Sequence, residues 1–456
     1  MNAYKNRWVI LRYLVAGAFL SPLDYFIVNM ALPAIKASLQ ATDNQLQMVI
    51  AIYGLTYASL VVCSGKLGDS YGRKTIFTLG LWIFLFASLA CGLAPTINWL
   101  IFARFIQGIG ASLLAPQVLA SIKIYFDETE RAKALGIFGS VFGLAAILGQ
   151  LAGGILLDLQ LWGLTWEIIF LVNVPVAAIC LGGIYAYMPA EPKQKQSLDY
   201  LGVLLIISTL LCFITPLIYG RTLGWPWWIF ALIGLSFLLL ALFITYEKYR
   251  EKQHKNGILS MRLFQNKTFA GCLPLILFYN FTAGLFICYP YYLQLHLHWG
   301  VLAAGLAILP YGIGFFLGPI VFAQVKQSPS FWIHLALGLL FFSFVVLGLL
   351  FYWLHTPNFA THLLFFFAGL GHGILLPVLM RESIRTIAPS QAGQASGIVS
   401  TSIQVGSVLG GALIGTLFFS LSETIGFPPA LALGFAAIGG AQVLGFSFYK
   451  LSLKNN

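Results

Sequence analysis

The sequence predicts an all-α protein that crosses a membrane many times, and its composition and apolar runs both support this. Of the 456 residues, 59% are hydrophobic and 9% are charged, and the mean hydropathy is +0.88. Soluble domains carry about 25% charged residues, so this chain lacks the polar surface that a water-facing globule needs. Apolar runs such as 76–94 and 331–354 approach or exceed the ~20 residues that cross a bilayer as a helix. Most of the chain is therefore predicted to lie in lipid.

The apolar runs divide the chain into fourteen predicted spans separated by polar loops. The first run is too long for a secretory signal peptide, lacks an obvious small-residue cleavage site and carries Asp24, so it is predicted to remain as the first span. The fourteen predicted spans are 9–35, 46–64, 76–94, 98–124, 132–157, 166–188, 199–219, 226–246, 267–294, 299–325, 331–354, 358–380, 392–419 and 427–449.

The positive charges predict which span ends face the cytoplasm. With the N-terminus inside, 22 of the 25 Lys and Arg residues fall in cytoplasmic loops or at the cytoplasmic ends of spans, whereas Lys36 and Arg221 lie outside and Arg104 lies well within a span. Positive residues concentrate in cytoplasmic loops, so both termini are predicted to be cytoplasmic. The net charge of +11 therefore reflects topology, with contact to anionic membrane lipid as a second effect, and no nucleic-acid partner is predicted.

No pattern in the chain indicates a metal site, a disulfide framework or an enzyme. The six cysteines lie in apolar segments without C-x-x-C spacing, and we interpret them as small packing residues. The chain has no H-E-x-x-H helix, G-x-S-x-G turn or P-loop, so neither metal hydrolysis, serine acyl transfer nor ATP hydrolysis is predicted. A membrane-embedded sensor is a further alternative, but the longest polar stretch, 247–266, is too short for a soluble sensing domain.

An internal repeat predicts the domain organisation. A shift of 261 residues brings glycine, alanine and proline positions of spans 4 and 5 into register with spans 12 and 13, so the repeated unit has six spans. Spans 7 and 8 then form an inserted hairpin, and the predicted domains are 1–190, 191–262 and 263–456. The matching pairs are Gly108 and Gly369, Gly110 and Gly371, Pro116 and Pro377, Ala134 and Ala395, Gly136 and Gly397, Gly149 and Gly410, and Gly154 and Gly415.

Two charged residues away from the span ends are candidates for proton coupling, because ionisable groups inside a membrane are costly and usually functional. At ~1.5 Å per residue, Asp24 lies roughly 8 Å and Arg104 about 9 Å below the outer edge of the bilayer core, so they are predicted to lie at one level. Burial favours a protonated carboxyl and a guanidinium favours a carboxylate, so Asp24 is predicted to carry the proton and Arg104 to modulate it. A purely structural ion pair is the alternative. The repeat places Phe365 at the position of Arg104, so the charge is not duplicated.

Polar residues inside the spans are predicted to line a central cavity, because folds with such repeats bind substrates near the midplane between the halves. An interhelical hydrogen bond is the alternative for each of them. His372, between two glycines, is either a second protonation site or an ordinary hydrogen-bonded histidine. The predicted cavity residues are Asn29, Gln107, Gln117, Gln150, Asn173, Tyr279, Asn280, Tyr289, Tyr292, His372 and Gln404.

Three stretches resemble motifs of the major facilitator superfamily. Residues 65–74, GKLGDSYGRK, resemble its signature cytoplasmic loop, and residues 23–33 and 104–110 resemble the span 1 and span 4 motifs of its fourteen-span drug:proton antiporters. The resemblance covers essentially the whole chain and implies two six-helix bundles plus the inserted hairpin. It also implies that Asp69 and Arg73 form a cytoplasmic charge network, with Asp69 near the start of a second-half helix. The implied conformational motif residues are Gly65, Asp69, Gly72, Arg73, Gly149, Gly153 and Gly154.

The span 5 motif departs from the family pattern, because Gln150 stands where the family has a kink-forming proline. The second half also has no acidic residue well inside its predicted spans, which favours neutral, singly charged or zwitterionic substrates over dications. The resemblance implies a monomeric, proton-coupled exporter of lipophilic or amphipathic small molecules in a bacterial inner membrane, with protons as the coupling ion and no other cofactor or metal. The alternative is a dedicated exporter of an endogenous product, such as a siderophore or lipid-like metabolite.

Overall fold

Every regular element that the structure describes is a helix. The computed structural model describes residues 6–159, 163–190, 199–220, 223–253, 261–325, 327–385, 387–388 and 391–454. The prediction of an all-α fold is therefore confirmed. The first ten helices are α1 Arg7–Leu39, α2 Asp43–Tyr71, α3 Arg73–Gly92, α4 Ile97–Ser112, α5 Ala115–Tyr125, α6 Glu128–Leu159, α7 Ile168–Leu171, α8 Asn173–Tyr187, α9 Tyr200–Tyr219 and α10 Trp227–Lys252.

The remaining helices follow in the second part of the chain, where a 3₁₀ turn, Asn280–Gly284, joins two of them and a π turn, Tyr292–His296, ends the second. Both irregular turns fall within or beside predicted span 9, which is therefore not one continuous α-helix. The helices are α11 Arg262–Gln265, α12 Lys267–Tyr279, α13 Leu285–Tyr291, α14 Val301–Ala307, α15 Leu309–Gln324, α16 Pro329–Leu354, α17 Phe359–Arg385, α18 Ala392–Ile425 and α19 Phe427–Lys454.

Local sequence explains where several of these helices start and stop. Thr42 and Gln45 form a capping box at the start of α2, with the Gln45 N–H donating to Thr42 Oγ1 at 3.3 Å. Gly72 ends α2 with a φ of +89°, a conformation that glycine adopts without strain. Predicted span 98–124 is interrupted after Ser112, because Pro116 lacks an N–H and its ring excludes a helical carbonyl four residues earlier.

Twelve helices within the described residues are long and apolar enough to cross a membrane, whereas fourteen spans were predicted. The two predicted spans outside this set are 199–219 and 299–325. Their apolar helices with described side chains, Leu201–Leu217 and Leu309–Gln324, are shorter, and the second is separated from α14 by a break just before Pro310. A helix of 17 residues rises ~26 Å, less than the ~30 Å of a bilayer core. The count of fourteen therefore stays a prediction.

The described chain forms two compact units, each assembled from separate stretches. The first comprises Met1–Asp127, Leu156–Asn266 and Thr386–Thr401, and the second comprises Glu128–Ile155, Lys267–Arg385 and Ser402–Asn456. In the first unit α1 packs on α8, α3 on α4, α2 on α4 and α9, and α9 on α10. In the second unit α15 packs on α17, α16 on α17 and α19, and α12 on α19. The predicted domain boundaries at 190 and 262 stay predictions.

The repeated glycines lie where helix backbones approach closely. A Cβ on Gly108 would lie 2.8 Å from the Tyr53 carbonyl oxygen, and a Cβ on its repeat partner Gly369 would lie 2.8 Å from the Tyr311 carbonyl carbon. The second pair behaves alike, since a Cβ on either Gly110 or Gly371 would lie 2.6 Å from a neighbouring backbone atom. Small residues allow this close helix packing in membranes, so packing accounts for both repeated pairs.

Candidate functional site

Asp24 on α1 and Arg104 on α4 form a buried ion pair in the first unit. Arg104 Nη1 donates a hydrogen bond to Asp24 Oδ2, and the two residues are 0% and 1% exposed. The structure thus places the two predicted charges side by side. Replacing a buried ion pair by apolar residues is often neutral or stabilising, so stability alone does not account for these charges.

The other oxygen of Asp24 accepts two hydrogen bonds from side-chain amides. Gln107 Nε2 donates to Asp24 Oδ1 at 2.9 Å, and Asn173 Nδ2 on α8 donates to the same atom at 3.1 Å. Both amides are 0% exposed. These two residues were predicted to line the substrate cavity, whereas in the structure their side-chain amides donate hydrogen bonds to the Asp24 carboxylate. Helices α1, α4 and α8 therefore build one polar site around Asp24.

Arg104 keeps other partners besides the carboxylate. Its Nε donates to the carbonyl oxygen of Val49 at 3.1 Å, and its Nη1 donates to Gln107 Oε1 at 2.7 Å. The guanidinium carbon lies 4.2 Å from the ring centroid of Tyr53, which gives a cation–π contact. The positive charge is thus held in place by α2 and α4 as well as by Asp24.

Two buried amide atoms beside the carboxylate, Gln107 Nε2 and Asn173 Oδ1, affect which hydrogen bonds Asp24 can make. Gln107 Nε2 also donates to Ser88 Oγ at 2.9 Å, which links the site to α3. Asn173 Oδ1 is buried and accepts no hydrogen bond from the described residues. A protonated carboxyl donates one hydrogen bond, so it needs an acceptor that the carboxylate did not need. Rotation of the Asn173 amide would offer Oδ1 to a protonated Asp24.

The second unit carries an aromatic cluster at the repeat position of the guanidinium. Phe365 lies 4.7 Å from Tyr289 and 6.1 Å from Phe435, measured between ring centroids. Tyr289 was predicted to line a cavity, but it is 0% exposed and its hydroxyl has no hydrogen-bond partner within the described residues. The duplicated scaffold is therefore charged in one half and apolar at the matching place in the other.

His372 is buried among polar and aromatic groups of the second unit. Its Nδ1 shares hydrogen bonds with Tyr311 Oη and, at 3.1 Å, with Thr282 Oγ1. The Tyr279 ring stands edge-on to the imidazole at 4.2 Å between centroids. The structure thus brings two predicted residues, Tyr279 and His372, together. It adds Tyr311 and Thr282, which sequence reasoning missed because hydroxyls in apolar runs carry no distinguishing pattern.

Other predicted cavity residues make hydrogen bonds to nearby groups. Gln117 Nε2 donates to the carbonyl oxygen and Oγ of Ser64, at 2.7 and 3.0 Å. Asn280 Nδ2 donates to the Ile276 carbonyl oxygen at 2.7 Å, and the Tyr292 hydroxyl donates to a loop carbonyl oxygen. Gln117 and Tyr292 thus make bonds between different elements, which was the alternative interpretation, whereas the Asn280 bond lies within one helical stretch. Substrate contact by these residues stays a prediction.

For the remaining predicted site residues, the structure gives a position in a helix but no polar contact. Gln404 lies half-buried on α18, and the side chains of Asn29 and Gln150 lie outside those that the structure describes. The span 5 motif glycines, Gly149, Gly153 and Gly154, lie within α6. In the described part of the chain, no cluster of three His, Cys, Asp or Glu residues could hold a metal ion.

Asp69 lies at the start of α18, as the resemblance implied. Its Oδ1 accepts from Arg73 Nη2 at 2.6 Å, and its Oδ2 accepts from the backbone N–H of Gln394 at 3.2 Å. A carboxylate suits this position because a helix N-terminus carries a partial positive charge. A Cβ on Gly65 would lie 2.7 Å from the Gly393 carbonyl carbon, so glycine at 65 allows α2 to approach the start of α18.

A charge cluster on the α9–α10 hairpin and α2 was not predicted. Asp199 Oδ1 accepts from the Tyr246 hydroxyl at 2.8 Å and lies 3.1 Å from Arg250 Nη1. Lys66 on α2 and Glu247 on α10 are 4% and 1% exposed. The Lys66 ammonium interacts electrostatically with Asp69 on α2 itself and with Glu247 and Asp199 of the hairpin. Sequence reasoning treated these charges as topology signals because they lie at span ends and in loops.

Comparison with known proteins relates the whole chain to membrane transporters. The family profile of the Major Facilitator Superfamily matches residues 14–202 and 200–411. The chain is 32% identical over 430 residues to the probable actinorhodin transporter of Streptomyces coelicolor, covering 92% of this chain and 73% of that protein. It is 31% identical over 438 residues to the methylenomycin A resistance protein of the same organism, covering 95% and 89%. The solved human organic anion transporter MFSD10 matches with a TM-score of 0.71 at 14% identity, covering 97% and 99%, a likeness of fold alone.

Proposed function

Because the chain belongs to the Major Facilitator Superfamily and is a transporter, not an enzyme, we propose that it is a proton-coupled antiporter that exports lipophilic or amphipathic small molecules. Relatives named for antibiotic resistance and transport support the direction of export. The observation that carries the proton coupling is the buried carboxylate of Asp24, held between Arg104 and two amides. Buried ionisable groups of membrane transporters commonly form proton relays.

Two protonation states of Asp24 would have two hydrogen-bond patterns. The carboxylate accepts from Arg104, Gln107 and Asn173. The protonated acid is neutral, so Arg104 would then rely on the Val49 carbonyl oxygen and the Gln107 amide oxygen. Proton binding thus changes the attraction between α1 and α4. In this proposal that change is the link between proton movement and alternating exposure of the substrate site.

The charges of the second unit bear on the substrate class. Glu382, on the last turns of α17, is buried but lies 3.5 Å from Arg385, so its charge is already compensated. No other Asp or Glu lies within the described α12–α17 helices. We propose neutral, singly charged or zwitterionic amphiphiles rather than dications. A second candidate, export of one endogenous product such as a siderophore or lipid-like metabolite, is favoured by the relative named for the single compound actinorhodin.

Inverted membrane vesicles would test this function directly. With a pH gradient that is acidic inside, vesicles containing the protein are expected to accumulate a fluorescent lipophilic amphiphile, or the endogenous product, above the level in empty vesicles. An ionophore that collapses the pH gradient should stop the accumulation, because the proposed driving force is proton return. Accumulation that survives the ionophore would contradict proton coupling, and an absence of accumulation for both compound classes would contradict export.

The proposal includes the finer architecture that the resemblance implied. The α9–α10 pair packs together and against α2, which supports an inserted hairpin docked on the first unit and a total of fourteen spans. The bacterial relatives support placement in a bacterial cytoplasmic membrane, which we propose is an inner membrane, and the positive-inside pattern supports cytoplasmic termini. We propose a monomer, because α1, α4 and α8 of one chain supply hydrogen-bond donors to both oxygens of Asp24, so this site needs no partner subunit.

Charge reversal would test the hairpin docking. Lys66→Glu or Glu247→Lys alone would place like charges together in a buried cluster, where breaking an ion pair costs about 3–5 kcal/mol. Each single variant is expected to lower folded yield and transport at least tenfold. The double variant is expected to recover part of both, because a glutamate at position 66 would face a lysine at 247 but also Asp69 and Asp199. Folded yield is read by size-exclusion chromatography and transport by the vesicle assay.

The exposed pair Arg262 and Glu251 provides a matched control for the reversal. Arg262 Nε lies 3.1 Å from Glu251 Oε1, but the Arg262 side chain is 68% exposed. Exposed pairs contribute only about 0–1 kcal/mol, so Arg262→Glu should change yield and transport little. Equal losses in Arg262→Glu and Lys66→Glu, or no recovery in the double variant, would show that the cluster does not hold the hairpin.

A further inference from the structure

A groove between α1 and α8 lies on the first unit, and Ala16, its lining residue nearest to Asp24 in sequence, is about 12 Å from it along α1. Its volume is about 320 Å³, and only one of its lining residues is charged. The lining residues on α1 are separated by three, four or seven positions and therefore share one face of that helix. Those on α8 are separated by three or four positions and likewise share one face. The lining residues are Val9, Arg12, Tyr13, Ala16, Val176, Ile179 and Cys180.

Arg12 lies on the α1 side of this groove, one turn after Val9 and one turn before Ala16. It is exposed, it lies within the apolar stretch Arg7–Val28, and among the described residues it has no ion-pair or hydrogen-bond partner. The basic neighbour Lys74 is engaged, since its Nζ donates to the Met188 and Tyr185 carbonyl oxygens at 2.5 and 3.2 Å. An arginine near the end of a membrane span extends toward the headgroup region, where phosphates supply the missing negative charge.

The rest of the groove is apolar and faces lipid. Ile179 is 67% exposed and forms one wall, whereas Cys180 is 1% exposed and forms part of the floor. The Tyr13 ring occupies the space beside Gly183 and stacks on Tyr187 at 5.9 Å between centroids. Tyrosines concentrate at the interface between bilayer and water, so this pair marks the end of the groove that meets the headgroups.

We propose that this groove binds one anionic phospholipid, with its phosphate on the Arg12 guanidinium and an acyl chain along Ala16 and Ile179. The lining contains no acidic residue, so the charge of the groove is positive. A zwitterionic lipid offers a phosphate whose charge its own headgroup cancels, whereas an anionic lipid keeps a net negative charge. Charge complementarity therefore selects the anionic class, and it disfavours a cationic substrate at this site.

Native mass spectrometry of the full purified chain tests the proposal. The protein is titrated with equal amounts of phosphatidylglycerol and phosphatidylcholine, and the bound lipids are counted by mass. The wild type is expected to prefer phosphatidylglycerol. Arg12→Gln should lower phosphatidylglycerol binding about fivefold, because one basic residue near a membrane surface contributes ~1 kcal/mol, which corresponds to about a fivefold change in affinity. Arg12→Lys should retain most of the preference, and Ala16→Phe should lower binding of both lipids by filling the groove.

Arg262→Gln is the control, because it also removes one positive charge but lies outside the groove. Arg12 is exposed, so the melting temperature of Arg12→Gln should equal that of the wild type. The proposal is overturned if Arg12→Gln binds phosphatidylglycerol as the wild type does, if Arg262→Gln loses as much binding as Arg12→Gln, or if Ala16→Phe leaves lipid binding unchanged.

Discussion

Asp24→Asn is expected to abolish accumulation driven by a pH gradient while the protein remains folded and inserted. Asparagine has nearly the same shape but does not titrate, so the site can no longer bind and release a proton. The Val49 carbonyl oxygen, the Gln107 amide oxygen and the Tyr53 ring would still hold the Arg104 guanidinium, so the helices should stay packed. The measurement is accumulation in inverted vesicles, where a loss of at least a hundredfold is expected.

A substrate-exchange assay distinguishes loss of proton coupling from loss of substrate binding or conformational change. In vesicles without a pH gradient, Asp24→Asn should still exchange labelled for unlabelled substrate, because exchange needs binding and conformational change but no net proton movement. Glu167→Gln is the matched control: among the described contacts the Glu167 carboxylate accepts hydrogen bonds only from Thr165, so this change should leave both assays intact. Proton-driven accumulation retained by Asp24→Asn would remove Asp24 as the proton site.

Arg104→Gln is expected to destabilise the protein, because it removes the cation from the buried pair. It would leave the Asp24 carboxylate buried without its cation, and breaking a buried ion pair costs about 3–5 kcal/mol. The double variant Asp24→Asn with Arg104→Gln replaces both charges by neutral amides, so most of the lost stability should return. Transport coupled to the pH gradient should remain absent in the double variant. Thermal unfolding in detergent and vesicle accumulation measure the two quantities.

This pair of variants distinguishes a structural ion pair from a functional one. If the charges serve only to hold α1 and α4 together, the double variant should regain transport along with stability. Recovery of stability without transport supports a role in proton coupling. A double variant as unstable as Arg104→Gln would show instead that the two charges are not energetically coupled, which would contradict the buried pair as the centre of the site.

The fold class could be predicted because lipid imposes strict rules on a chain. Backbone groups in a bilayer must be satisfied within helices, so composition and run length were enough to predict an all-α membrane protein. Membership of the superfamily, predicted from three motifs, is confirmed by the family match. The number of unbroken helices was harder to predict, because a proline does not always interrupt a helix. The helices are broken beside Pro116 and Pro310, whereas Pro377 lies inside the continuous helix α17.

The sequence by itself determined the membrane class and the superfamily, and it selected Asp24 and Arg104 as the candidates for proton coupling. It could do so because charges in lipid are rare and because depth along a helix follows from residue number alone. Only the tertiary structure decided that Gln107 and Asn173 bind the carboxylate, that Tyr289 belongs to an aromatic cluster, and that Lys66 joins the hairpin charges. These roles depend on the rotation of each helix about its axis and on its neighbours, and residue spacing specifies neither.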